Sequence, residues 1–275
     1  MQQEFSYLAP TTLEDLYTQL DKHAPKASLL AGGTDLLVEI HNNCKAKDVM
    51  IDVKKVAELS EIEYSKKKGL IIGAAVTCID LISDRNVKKH YPILADAAGR
   101  IGSIQLRNRA TIGGNLCTAS PCADMGCSLL ALGAQVELGS VKGTRTVALK
   151  DYFTGPKKTQ IKNNEVLLRI IVPADMADAQ AGMRKLKRIK GHDLSLVSAV
   201  IARTDKVLRA GFGSCGPTPV VTPDLPANAK PDAIKKAAYK VVSPIDDVRA
   251  SKDYRLFMVG EYIESIFEEL GGRKK

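Results

Sequence analysis

The chain has 275 residues, enough to bury a sizeable core in more than one unit, with 45% hydrophobic and 26% charged residues, ordinary globular values. Forty Lys+Arg against 31 Asp+Glu give a formal charge of +9, but the basic residues lie in short scattered clusters without Trp and with only five Phe, which argues against a nucleic-acid surface and for an acidic partner or electron acceptor. No apolar run reaches bilayer length and Met1-Gln2-Gln3-Glu4 has neither a basic nor an apolar leader region, so a soluble, cytoplasmic protein with no membrane span is expected.

Phe5 and Tyr7 alternate with polar neighbours as a short strand, and Thr12, three residues before Asp15, is placed to cap a helix with Leu13, Leu16 and Leu20 on one face. A strand over 28–31 delivers the small-residue stretch Ala31-Gly32-Gly33-Thr34-Asp35, followed by a short helix over 35–40 and a strand over 48–53. These make a small α/β unit, residues 1–56. From Glu61 the pattern is that of a hairpin, with Ile62 and Tyr64, a basic turn ending at Gly69 and an apolar return over 70–73. Thr77 with Asp80 marks another helix start, 92–98 a further helix, and 101–107 leads into a second small-residue stretch, Thr111-Ile112-Gly113-Gly114-Asn115-Leu116-Cys117-Thr118-Ala119-Ser120-Pro121-Cys122-Ala123-Asp124.

A buried helix over 125–132 and strands over 135–138, 145–149 and 166–172 complete a larger α+β unit, residues 57–175. The polar, alanine-rich 173–180 reads as a linker. Beyond it, strands over 182–189, 196–203 and 207–212 form an antiparallel meander that 213–219 interrupts. Two helices close the chain, the last with Val259, Ile263, Ile266 and Leu270 on one face. The expected class is therefore α+β: a two-part unit followed by a C-terminal domain, residues 181–275, of a three-stranded antiparallel sheet with helices. The tail from Gly271 to Lys275 is expected to fray.

Two small-residue stretches about eighty positions apart let a ligand lie against the backbone, whose N–H groups meet anionic oxygens directly, and each leads toward a helix N-terminus. The alternative for the second is a tight Gly-Gly turn with Ser120 capping the following helix ahead of Pro121. Neither spaced-glycine fingerprint nor Walker loop occurs, so a nucleotide is held in another way. Six cysteines without a leader argue against a disulfide framework. Cys117, Cys122 and Cys127 are spaced either to ligate an iron–sulfur cluster, with Cys44 or Cys215 as a fourth ligand, or to fill a packed loop and helix. His23, His41, His90 and His192 sit in no nucleophile or metal motif.

The two stretches, together with Glu165-Val166-Leu167-Leu168, Arg184-Lys185-Leu186-Lys187-Arg188 and Asp193-Leu194-Ser195-Leu196-Val197, resemble the FAD-binding medium subunit of the molybdenum hydroxylases, the family of xanthine dehydrogenase and aerobic carbon monoxide dehydrogenase. The resemblance covers essentially the whole chain. It departs at Cys122 and Cys127, where the family carries small non-thiol residues. The resemblance implies that the two N-terminal units make one FAD-binding fold. Ala31, Gly32, Gly33 and Thr34 would then bind the FAD pyrophosphate, with Asp35 capping that turn, and Thr111, Gly114, Asn115 and Thr118 would close on the same cofactor.

By the same resemblance Asp124 bonds the adenosine ribose, Ile101 lies near the flavin ring, Leu167 packs the adenine and Lys185 reaches the flavin side. Read from the residues alone, Asp124 favours a helix dipole, Ile101 and Leu167 are core residues, and Asp193 pairs with the basic run. The implied activity is electron transfer: from a molybdopterin subunit through a [2Fe–2S] subunit to FAD, and on to NAD+ or another acceptor. A self-contained FAD oxidoreductase and a non-redox nucleotide-binding scaffold are the alternatives.

Overall fold

The computed structural model describes residues 4–42 and 48–272, and its described residues form three main sheets in succession and a separate two-stranded ribbon. The first contains β1 (Ser6–Leu8), α1 (Leu13–His23), β2 (Ala27–Leu30), α2 (Leu36–His41) and β3 (Val49–Asp52), with the strands parallel in the order β1-β3-β2. Parallel neighbours need crossovers, which the helices supply. The Thr12 hydroxyl accepts from the Asp15 N–H at 3.2 Å and starts α1. Leu16 and Leu20 of that helix pack with Ile51 and Val53, and each such burial contributes roughly 1.5–3 kcal/mol over exposure.

The second sheet begins with the hairpin β4 (Ile62–Ser65) and β5 (Gly69–Gly73). A helical run follows: α3 (Cys78–Ser83), α4 (Arg85–His90), α5 (Pro92–Gly99), α6 (Ile104–Arg107), α7 (Ile112–Thr118) and α8 (Asp124–Ala131). Thr77 and Asp80 form a reciprocal capping box on α3. The helix α4 has no apolar period to announce it; the Asp84 carboxylate starts it by accepting from the N–H groups of Asn86 and Val87. Then come β6 (Gln135–Ser140), β7 (Gly143–Ala148), α9 (Leu149–Tyr152), β8 (Phe153–Gly155), β9 (Lys158–Thr159) and β10 (Val166–Val172). The last returns between β5 and β6, so that the sheet order is β4-β5-β10-β6-β7.

Residues 173–180 are not a slack linker. Ala174–Met176 form a 3-10 turn with Met176 fully buried, the Asp178 N–H donates to the His90 carbonyl, and Gln180 already belongs to the next strand. The third sheet is the antiparallel meander β11 (Gln180–Leu186), β12 (Val197–Arg203) and β13 (Val207–Gly213). Two short strands, β14 (Val220–Val221) and β15 (Leu225–Pro226), also pair with β13 and widen the three-stranded sheet expected from the sequence.

Val197, Ala199 and Ile201 of β12 share a core with α10 (Pro231–Val241) and α11 (Lys252–Gly272), while Val200 and Ala202 face the middle unit. This period of two makes the third sheet a filling between the C-terminal helices and α8. Gly271 and Gly272 continue α11 and are not frayed; Arg273, Lys274 and Lys275 lie outside the described residues. Among the described residues no helix is long and apolar enough to cross a membrane.

Candidate functional site

The strand β2 ends at Leu30, and Ala31 to Asp35 follow at the carboxyl ends of the parallel strands, the end at which open α/β sheets bind ligands. Gly33 has φ of +75°, a left-handed conformation that glycine adopts without strain. Gly32 is pressed onto the backbone of Arg109 and Ala110, so closely that a Cβ there would overlap the Arg109 carbonyl oxygen. The first stretch therefore packs on the two residues that lead into the second. The Thr118 hydroxyl completes the junction by donating to Asp35 Oδ2 at 3.1 Å. Asp35 stands at the N-cap of α2 without a side-chain cap bond, its carboxylate accepting from Thr118 instead.

The stretches differ in what they offer. In the first, the N–H groups of Gly32, Gly33, Thr34 and Asp35 have no hydrogen-bond acceptor among the described residues. In the second, the glycine pair is not a loop but the first turn of α7. Thr111 caps it by accepting from the Gly114 N–H at 3.0 Å. Gly113 donates to the Ala74 carbonyl, Ile112 to Val76 and Asn115 to Thr111, so its amides are spent.

The expectation that both stretches turn N–H groups to a ligand is corrected for the second, whose contribution is side chains: Asn115 Oδ1 is buried with no hydrogen-bond partner among the described residues. At six and seven residues, α2 and α7 are also too short to carry much of a dipole. Ser120 does not cap α8; it accepts from the Cys122 N–H, and Ala123 occupies the cap position.

Asp124 opens α8 and is buried. Its Oδ2 accepts from Lys185 Nζ of β11 at 2.6 Å, and that ammonium also donates to the Arg100 carbonyl at 3.1 Å. Burial raises the Asp124 carboxyl above the ordinary aspartate range despite Lys185, Arg100 and Lys187 around it. Its second oxygen, Oδ1, is buried with no partner among the described residues. Such orphaned oxygens are uncommon in native interiors and call for an acceptor-seeking group. Ile101 is 7% exposed, and its carbonyl accepts from Arg107. Leu167 is a core residue of β10 in register with Leu138. Asp193 forms a bidentate pair with Arg188, as the residues alone indicate.

The cluster reading of the cysteines is corrected. Cys117 Sγ meets the Tyr152 hydroxyl at 3.5 Å, Cys122 Sγ the Ser195 carbonyl at 3.7 Å, and Cys127 Sγ the Asp124 carbonyl at 3.3 Å inside α8. Cys215, one proposed fourth ligand, bonds the Gly213 carbonyl, and burial pushes its thiol up to about 12; Cys44, the other, lies outside the described residues. Among the described residues no three His, Cys, Asp or Glu side chains converge as a metal site.

Sequence reasoning missed a group beneath the first stretch. Asp52, the last residue of β3, accepts from the Tyr7 hydroxyl at 2.6 Å and from Lys54 Nζ at 2.7 Å, and Lys54 Nζ donates onward to the Ala31 carbonyl at 3.2 Å. Burial works to raise the Asp52 carboxyl, but the bonds from Lys54 and Tyr7 prevail and hold it below the ordinary value. The available signal was its position, a carboxylate ending a parallel strand. A cavity of about 250 Å³ opens elsewhere, walled by Glu58, Glu61, Glu63 and Arg169; its three carboxylates disfavour an anionic ligand.

Four open amides, a neighbouring helix with a buried Asn115 oxygen that has no partner among the described residues and a second such oxygen on Asp124 suit a ligand that carries both anionic phosphate and sugar hydroxyls, and FAD has both. A family model described as the FAD binding domain in molybdopterin dehydrogenase matches residues 3–175. The chain is 31% identical over 278 residues to the xanthine dehydrogenase FAD-binding subunit of Escherichia coli O157:H7, covering 96% of this chain and 95% of that one. The structure of carbon monoxide dehydrogenase from Hydrogenophaga pseudoflava lacking the Mo-pyranopterin moiety of its cofactor has a chain that superposes with a TM-score of 0.92 at 29% identity, covering 100% of both chains. Quinoline 2-oxidoreductase from Pseudomonas putida 86 has one that superposes with a TM-score of 0.87 at 26% identity, covering 98% of each.

Proposed function

Because the chain belongs to the family of FAD-binding subunits of the molybdenum hydroxylases, the xanthine dehydrogenase and carbon monoxide dehydrogenase type, we propose that it is the medium subunit of a cytoplasmic, heteromeric enzyme of that class. Its partners are a small [2Fe–2S] subunit and a large molybdopterin subunit. Bound FAD would supply the redox chemistry, electron transfer between the partner's [2Fe–2S] centres and NAD+ or another acceptor.

The residues of this chain bind and orient. The amides of Gly32, Gly33, Thr34 and Asp35 receive the pyrophosphate, where fixed N–H dipoles offset its charge without side-chain entropy. Thr111 holds α7 so that Asn115 faces the cofactor. Asp124 and Lys185 act as one unit: the ammonium fixes Oδ2 and leaves Oδ1 to accept from a cofactor hydroxyl. Thr118 and Asp35 keep the two stretches together, and Ile101 and Leu167 wall the site with apolar surface. No side chain here has to act as acid, base or nucleophile.

The observation that carries this reading is the run of four consecutive amides without acceptors, placed against a helix bearing an orphaned Asn115 oxygen. The test is a visible spectrum with cofactor extraction on the chain copurified with its partner subunits, then on the isolated chain. One FAD and no iron on the isolated chain, with the flavin bleached when the complex meets a reducing substrate, is the expected result. Iron retained by the isolated chain, or a flavin that stays oxidised while the partner's [2Fe–2S] centres are reduced, would contradict it.

A further inference from the structure

The carboxyl ends of the three parallel strands meet at one charged group. Tyr7 comes from β1, Asp52 ends β3, and Ala31 follows β2. Lys54, two residues past Asp52, ties them: Nζ donates to Asp52 Oδ1 at 2.7 Å and to the Ala31 carbonyl at 3.2 Å, while the Lys54 N–H donates to the same Asp52 oxygen at 3.0 Å. The carboxylate is 6% exposed and the lysine side chain about one third exposed.

An ammonium has three protons, and these bonds use two. The Ala31 carbonyl is the acceptor immediately before the run of open amides. A peptide group has its C=O and N–H on opposite sides. Fixing the Ala31 oxygen toward Lys54 therefore turns the Gly32 N–H away from the lysine, outward from the sheet. The lysine also sets an ammonium, balanced behind by the Asp52 carboxylate, beside a run of partial positive charges.

We infer that Lys54 is a positioning residue for the phosphate-bearing part of the cofactor: anchored by Asp52 and Tyr7, it fixes the Ala31 carbonyl, orients the following amides and adds attraction for the pyrophosphate. Tyr7 contributes by holding the other carboxylate oxygen, Oδ2, at 2.6 Å, which keeps Asp52 ionised and in place. The group lies at the strand ends, next to Ala31, and acts on phosphate and not on the ring system. The inference rests on the FAD reading above.

The experiment is a flavin fluorescence titration of the full-length apoprotein with FAD at low and high salt, for wild type, Lys54→Met and Lys54→Arg, with competition by ADP and by adenosine. Thermal melts of the three ligand-free proteins run beside it. The expected result is a rise in the FAD Kd of about tenfold or more for Lys54→Met, the size of one lost charge-assisted bond. ADP competition should weaken in parallel, adenosine competition should not change, and the salt dependence should shrink. Lys54→Arg should recover most of the affinity and melt close to wild type, while Lys54→Met, which leaves the buried Asp52 carboxylate without its cation, should melt lower yet remain folded at the titration temperature.

An FAD Kd unchanged in Lys54→Met beside a binding wild type overturns the inference alone. Equal losses for ADP and adenosine also overturn it, because they mean a general collapse of the site. A wild-type chain that takes up no FAD overturns the reading on which the inference rests.

Discussion

The two glycine pairs look alike in sequence and do opposite work. Gly32-Gly33 lies in an open turn after a parallel strand, and its amides have no acceptor among the described residues; Gly113-Gly114 lies inside the first turn of α7, and its amides are both engaged. In both, the first glycine is required by close approach to backbone, Gly32 to Arg109 and Gly113 to Ala74. The same dipeptide thus presents amides where the chain turns and permits packing where it coils. The anchors differ too: a buried carboxylate with a lysine under the first stretch, a neutral hydroxyl at the second.

Gly32→Ala should break the contact between the first stretch and the residues leading into the second most severely, since its Cβ meets the backbone carbonyl oxygen of Arg109. The expected cost is about 3 kcal/mol or more in denaturant unfolding, with no flavin retained on purification. Gly113→Ala meets the Ala74 oxygen at 2.5 Å and its Cβ at 2.7 Å. It should cost roughly 1–3 kcal/mol, yet the folded fraction should still bind FAD, because no ligand amide is disturbed. Equal flavin loss in the two variants would erase the distinction between the stretches.

Thr111→Ala removes the cap on Gly114 and should lower stability by about 1 kcal/mol, with Thr111→Ser restoring it; a thermal melt reads both. The smallest effect is one of pH. The Asp52 carboxyl is held below its ordinary value in the folded chain. Its contribution is complete above the unfolded aspartate pKa, about 3.9, and is lost as pH falls through the folded value. Acid should therefore loosen the first stretch before the second, whose Thr111 anchor does not titrate. In apoprotein melts between about pH 5 and pH 3, Asp52→Asn should flatten part of the acid decline, and Thr111→Ala should not.

Much of the fold was legible where local chemistry decides it. Thr12 and Thr77 start helices with hydroxyl caps, Ile62 and Tyr64 enter a hairpin, and Val259 to Leu270 repeat with the helical period. Features set by distant partners were not. Two adjacent glycines disfavour a helix by intrinsic propensity, and only the Thr111 cap and the Ala74 carbonyl, 37 positions upstream of Thr111, make α7 form. Residues 173–180 read as a linker because their composition is polar, yet Met176 finds a core and Asp178 finds His90. At the site, the glycine stretches and Asp124 were visible as motifs. The pairing of Asp124 with Lys185, 61 residues apart, and the Tyr7–Asp52–Lys54 group depend on strands coming together in space.

The central claim is that the first stretch holds the cofactor by its amides and the second by its side chains. Residue-resolved amide hydrogen exchange on the full chain, with and without FAD, tests it directly. The amides of Gly32, Gly33, Thr34 and Asp35 should exchange fast without FAD and become protected when it is added, while those of Ile112, Gly113, Gly114 and Asn115 should be protected in both states. Amides at 32–35 that remain unprotected in the FAD-bound chain, or that are already protected without it, would contradict the account.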